Sequence, residues 1–191
     1  MSQKIKILSR APKQYLEQGL IHCGAFSVKA ILSAYGKDVK DNPRDYHTNF
    51  LAKYIATSPT GPTPASWVRV LKSYGVPAEL GNTKGMTDEK RIEFLKKILD
   101  TDSPAMIRIG NGYSKNGKYH PLAAKFISHW ITLWGYDDEK QIFYVYDSYV
   151  PVKRQDKNIP IGNTTRTFAE ILRDWKMGFP PQWRYSFIKV L

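Results

Sequence analysis

A chain of 191 residues with 42% hydrophobic, 13% aromatic and 24% charged residues has the make-up of one globular domain with its own core; disordered, collagen-like and low-complexity classes are excluded. Lys and Arg number 29 against 17 Asp and Glu, a formal charge of +12, so anionic partners such as acidic peptides are attracted at low salt. The basic residues are dispersed and form neither a zinc-finger nor an aromatic-basic sheet motif, so specific nucleic-acid binding is not expected.

The opening Met1–Lys6 is basic without a signal peptide's apolar core, and no window approaches the roughly 20 apolar residues of a membrane span. These features predict a cytoplasmic protein, or a secreted one if a leader has been removed. Phe26, Ala30, Ile31 and Ala34 recur at helical spacing, which predicts a helix over 23–35 stopped by Gly36. A second apolar-periodic segment covers Thr48 to Ile55, and the Pro- and Gly-rich run from Ser58 to Pro64 reads as loop. A helix from Pro64 to Tyr74 buries Trp67, Val68 and Leu71 and ends at Gly75; another runs from Thr87 to Leu99. Strands are expected at 105–109, 126–135, 141–147 and 185–190, with a last helix over 167–175. Helices first and strands later predict an α+β domain occupying residues 1–191.

The only thiol, Cys23, excludes an intramolecular disulfide and any multi-cysteine zinc site. It stands at the first turn of an apolar helix, where unpaired N–H groups and the positive end of the dipole favour a thiolate. Five residues upstream, Gln18 can direct its amide to the space that the Cys23 N–H faces, which would make two donors for a developing oxyanion. His129 opens a strand of aromatic and β-branched residues, and a hairpin centred on Asp138 sets it opposite Asp147. A carboxylate there holds the imidazole in one tautomer and favours its charged form. His22 reads as a loop residue pointing away from Cys23, His47 and His120 as exposed, and Asp137-Asp138 as turn chemistry. The stretch Gly110–Lys125, with Lys115, Lys118 and Lys125, reads as a long solvated loop, with a flap at the cleft rim that attracts acidic substrate as the alternative.

The segments Gln18–Gly24, Ser128–Trp130 with Gly135-Tyr136-Asp137, and Tyr144–Asp147, in this order, resemble the papain-like cysteine peptidases of the bacteriocin-leader-processing type and their peptidase-like relatives. The resemblance extends to the helix from Pro64, the strand after Pro104 and the helix from Phe168 to Trp175, so it spans most of the chain. It implies Cys23 as nucleophile, His129 as general base and acid, Asp147 as the residue orienting His129, and Gln18 as the oxyanion-hole side chain. It also implies a peptide or protein substrate, cleavage at a peptide or isopeptide bond through an acyl-enzyme, and no cofactor or metal. Acyl transfer to an amine, as in transglutaminase-like proteins, and a non-catalytic peptide-binding domain are the alternatives. Ser148 stands where these proteins commonly have proline.

Overall fold

The computed structural model describes residues 4–19, 21–47 and 63–191; the apolar segment at 48–55 and the loop over 58–62 lie outside them. In chain order the elements are β1 (Ile5–Ile7), α1 (Cys23–Ala34), α2 (Pro64–Ser73), β2 (Ala78–Asn82), α3 (Asp88–Asp100), β3 (Ala105–Gly110), α4 (Pro121–Phe126), β4 (Ser128–Asp137), β5 (Ile142–Tyr146), β6 (Thr164–Thr167), α5 (Phe168–Trp175) and β7 (Ser186–Val190). The strands form an antiparallel sheet in the order β2-β7-β3-β4-β5-β6, so the fold is α+β as expected. The long strand β4 is shared on one edge, with β3 pairing its first half and β1 its last three residues.

The helix boundaries follow the sequence signals. Gly36 and Gly75 carry φ of +66° and +73° just past α1 and α2, a left-handed turn that a side chain would oppose. Thr87 caps α3 by accepting from the Lys90 N–H. At α5 a capping box is complete, Thr167 accepting from the Glu170 N–H while the Glu170 carboxylate accepts from the Thr167 N–H. β3 and β4 are buried almost throughout, which is why they read as continuous apolar runs rather than alternating ones. α1 is also buried on nearly all sides; even Lys29 is enclosed, its ammonium held by Asp38 at 2.7 Å.

Three strands carry no strong sequence signal: β1 has three residues, β2 reads Ala-Glu-Leu-Gly-Asn, and β6 reads Thr-Thr-Arg-Thr. All three lie at sheet edges, where burial is partial and the apolar pattern weak. Two of them, β1 and β2, precede β3, so helices and strands interleave more than predicted. The segment 110–125 is shorter as a loop than expected, because Tyr113 and Tyr119 form a bridge and Pro121 starts α4, which extends through Phe126 and delays β4 to Ser128.

The β4–β5 hairpin departs from the expected register. β4 continues through Asp137 and the chain reverses over 138–141, with Gln141 at φ +53°, so Tyr146 pairs with Thr132, two residues further along than predicted. Near the turn the pairing has the opposite parity, Tyr136 with Phe143 and Gly135 with Tyr144, and a bulge at Trp134 corrects it. Without that extra residue Asp147 would continue onto the face of Thr132, away from His129; with it, Asp147 falls beside Ile131, on the His129 face. Asp137 does serve the turn, its carboxylate accepting from the Lys140 N–H at 3.1 Å.

Candidate active site

α1 begins at Cys23, and His22 before it has φ +87° and gives no side-chain cap to the first-turn amides. Gly24 is demanded by packing: a Cβ there would lie 2.3 Å from Nε1 of buried Trp67. Gly24→Ala is therefore expected to cost about 1–3 kcal/mol through overpacking. A lowered midpoint of urea unfolding measures this, and an unchanged midpoint would mean that Trp67 yields freely.

Despite the shifted register, His129 and Asp147 meet. Asp147 reaches diagonally, and His129 Nε2 donates to its Oδ1 at 2.7 Å, both residues being at most 3% exposed. The same Oδ1 accepts from the Tyr149 N–H at 2.9 Å, and Oδ2 accepts from Arg166 Nη2 at 2.8 Å. Asn163 closes the cluster, its amide bridging the backbone N–H and C=O of Asp147. Burial raises the Asp147 carboxyl, but the charges of His129 and Arg166 outweigh it and hold the group well below the usual range. The sequence reading missed Arg166 and Asn163. Their only signal is an arginine between threonines on an edge strand, which reads as solvated until β6 is paired with β5.

With Nε2 engaged by Asp147, the His129 ring lies within interaction range of the Cys23 thiol, and each acts on the titration of the other. Burial lowers the imidazole, while Asp147 and Cys23 raise it further, to about 10. Burial likewise pushes the Cys23 thiol up, but the His129 charge, the His129 hydrogen bond and the N–H groups of Trp130 and Gly24 bring it below its ordinary value. Both shifts favour a thiolate beside an imidazolium.

Gln18 is 3% exposed and tied to Ser148 twice: its N–H donates to the Ser148 C=O at 2.7 Å, and the Ser148 hydroxyl donates to its Oε1 at 2.5 Å. Its Nε2 remains as a donor without a protein partner among the described residues. Gln18, Cys23 and His129 line one cleft of about 930 Å3 with Trp67, Trp130 and Trp183. His22 and His47 also line it, correcting the expectation that His22 is only a loop residue and that His47 is exposed. The turn Pro43–Tyr46 packs against α1 and presents His47 to Trp67, and the two imidazoles share a hydrogen bond at 2.8 Å. Burial first, then neighbouring positive charge, lowers both, His47 to about 4, so the pair is neutral. His120 is exposed as expected.

A model of the Peptidase_C39 like family matches residues 5–179. The chain belongs to that family. This C39-like protein is accordingly a cysteine peptidase of papain-like fold. Among solved structures it is similar over 98% of both chains to a protein described as a C39-like peptidase from Bacillus anthracis, with 15% identity and a TM-score of 0.60. It is also similar to a double glycine motif protease from an AMS/PCAT transporter, solved in complex with the leader peptide: 16% identity, TM-score 0.55, covering 100% of this chain and 99% of that one. Comparison with curated proteins returned no match. Among the described residues of the C39-like chain no helix is long and apolar enough to cross a membrane.

Proposed function

We propose that residues 1–191 act as a single peptidase domain in which Cys23, His129 and Asp147 form the catalytic triad and Gln18 completes the oxyanion hole. The observation that carries this reading is the continuous chain from Arg166 through Asp147 and His129 to the thiol at the head of α1. A peptide lies in the cleft with its scissile carbonyl over Cys23, as the leader-peptide complex of the similar transporter protease suggests. The Cys23 thiolate attacks the carbonyl carbon, and the carbonyl π electrons move to oxygen. The oxyanion is met by the Gln18 Nε2–H and the Cys23 N–H. Collapse of this intermediate breaks the C–N bond as His129 gives its proton to the leaving amine, leaving a thioester. Neutral His129 then takes a proton from water, whose oxygen attacks the thioester; the acid departs and the thiolate–imidazolium couple returns. Asp147 stays ionised throughout and keeps the imidazole aimed at the sulfur, and Arg166 stabilises that charge without touching substrate.

An activated ester tests the reaction directly. A burst of product equal to the enzyme, followed by slower turnover, is expected from acyl-enzyme accumulation; its absence with every ester would point to a binding domain. The electrostatics are tested separately by alkylation of Cys23 with iodoacetamide against pH. The rate should have its inflection below the roughly 8.5 of an ordinary thiol. In a folded His129→Ala variant the inflection should move above that value, since burial remains while the opposing charge is gone. Identical profiles for the two proteins would remove the ion pair.

A further inference from the structure

Among the described residues, one buried cation of the cleft has no carboxylate partner. Arg108, on β3, is 6% exposed and lines the cleft together with Cys23. Its Nη2 donates to the Phe179 C=O at 2.5 Å and its guanidinium faces the Trp183 ring at 5.1 Å from the centroid. Nη1 is buried with no partner, and among the described residues no carboxylate pairs with this side chain. The other deeply buried cations are treated differently: Lys29 has Asp38, Arg91 has Asp88 and Arg166 has Asp147. Burial pulls Arg108 down to about 10, against the field of the Cys23 thiolate, so it keeps its charge at neutral pH and acts within electrostatic range of the sulfur.

A desolvated guanidinium without an anion is costly, and the cost is relieved when an anion arrives. No aspartate or glutamate is among the described lining residues of the cleft to compete for that role, and the charge of the Cys23 thiolate within range of Arg108 is opposed by His129. We propose that Arg108 recognises a carboxylate of the substrate beside the scissile bond, so that the peptides cleaved are those bearing an acidic side chain or a free C-terminal carboxylate near that bond. The proposal rests on the peptidase reading for the meaning of substrate, and on the cleft geometry alone for the anion site.

Alkylation of Cys23 with iodoacetate and with iodoacetamide tests the site without any peptidase activity, since the reagents differ in a carboxylate and meet the same thiol. The ratio of the iodoacetate to the iodoacetamide rate is expected to fall about tenfold or more in Arg108→Gln, the range of a lost charge-assisted hydrogen bond, and to be largely kept in Arg108→Lys. A merely structural arginine propping Phe179 and Trp183 would change both rates together; equal ratios in wild type and a folded Arg108→Gln variant overturn the proposal. Peptides then distinguish the two sources of the carboxylate. Loss of kcat/KM on amidation of the C-terminus assigns the α-carboxylate, and loss on changing Glu to Gln assigns the side chain. Equal turnover of all these peptides by wild type would also overturn it, whereas failure to cleave any peptide counts against the peptidase reading and leaves the alkylation ratio to decide Arg108.

Discussion

Cys23→Ala is expected to abolish turnover, by roughly 10⁶ in kcat, because a nucleophile that works as a unit with its base leaves little behind when removed. The fold should persist, since the replaced side chain is small and half-buried. The same variant should show a distinctive pH dependence of stability. In the wild type the folded state raises the His129 imidazole and lowers the Cys23 thiol, so it favours a proton on the one and opposes a proton on the other. Above the unfolded imidazole value of about 6.5 these two linkages have opposite signs, and the pH dependence of stability from the couple is partly cancelled. Without the thiol the opposing linkage is gone, as is its own support of the imidazole, while the Asp147 charge still favours the proton on folded His129. Its contribution is then complete below about 6.5 and lost as pH rises toward the folded value, at up to about 1.4 kcal/mol per pH unit. Unfolding measured in urea from pH 6.5 to 9 should give a slope for Cys23→Ala relative to wild type. Parallel curves, or turnover surviving in the variant, would sink the assignment.

Gln18→Ala is expected to lower kcat by roughly 10²–10³ with little change in KM, because its donor is strongest against charge that exists only in the tetrahedral state. The double tie to Ser148 makes a second measurement informative. With the Ser148 hydroxyl on Oε1, the amide nitrogen is the end left for the oxyanion. Ser148→Ala should thus cost about tenfold in kcat, near one net hydrogen bond, and nothing further in a Gln18→Ala background. Steady-state kinetics of the four proteins checks this. Full activity of Gln18→Ala would reduce Gln18 to a loop anchor, and additive losses would give Ser148 a role of its own.

The candidate residues were legible one at a time because each chemical type sits in a local context that constrains it. A lone thiol at the start of an apolar helix and a histidine opening an apolar strand are unusual placements, and neither depends on distant parts of the chain. The hairpin was legible in kind but not in register. Centring the turn on Asp138 rather than between Glu139 and Lys140 shifts the register by three residues, the bulge at Trp134 takes one back, and the pairing is left two residues off, an even slip that kept Asp147 on the correct face. A slip of one would have separated it from His129. The other partners of Asp147 were not legible, since Arg166 becomes buried only when β6 joins β5.

The amino-acid pattern by itself determined the boundaries of α1, α2, α3 and α5, the two central strands and the α+β class, because caps, glycine stops and apolar periodicity act within a few residues. Tertiary structure alone decided the parity of the hairpin, the short edge strands, the burial of His22 and His47, the tie between Gln18 and Ser148, and the isolation of Arg108. Each of these depends on which polar groups lose their water when separate elements come together. Desolvation and its compensation by partners more than 15 residues away leave no periodic trace in the chain.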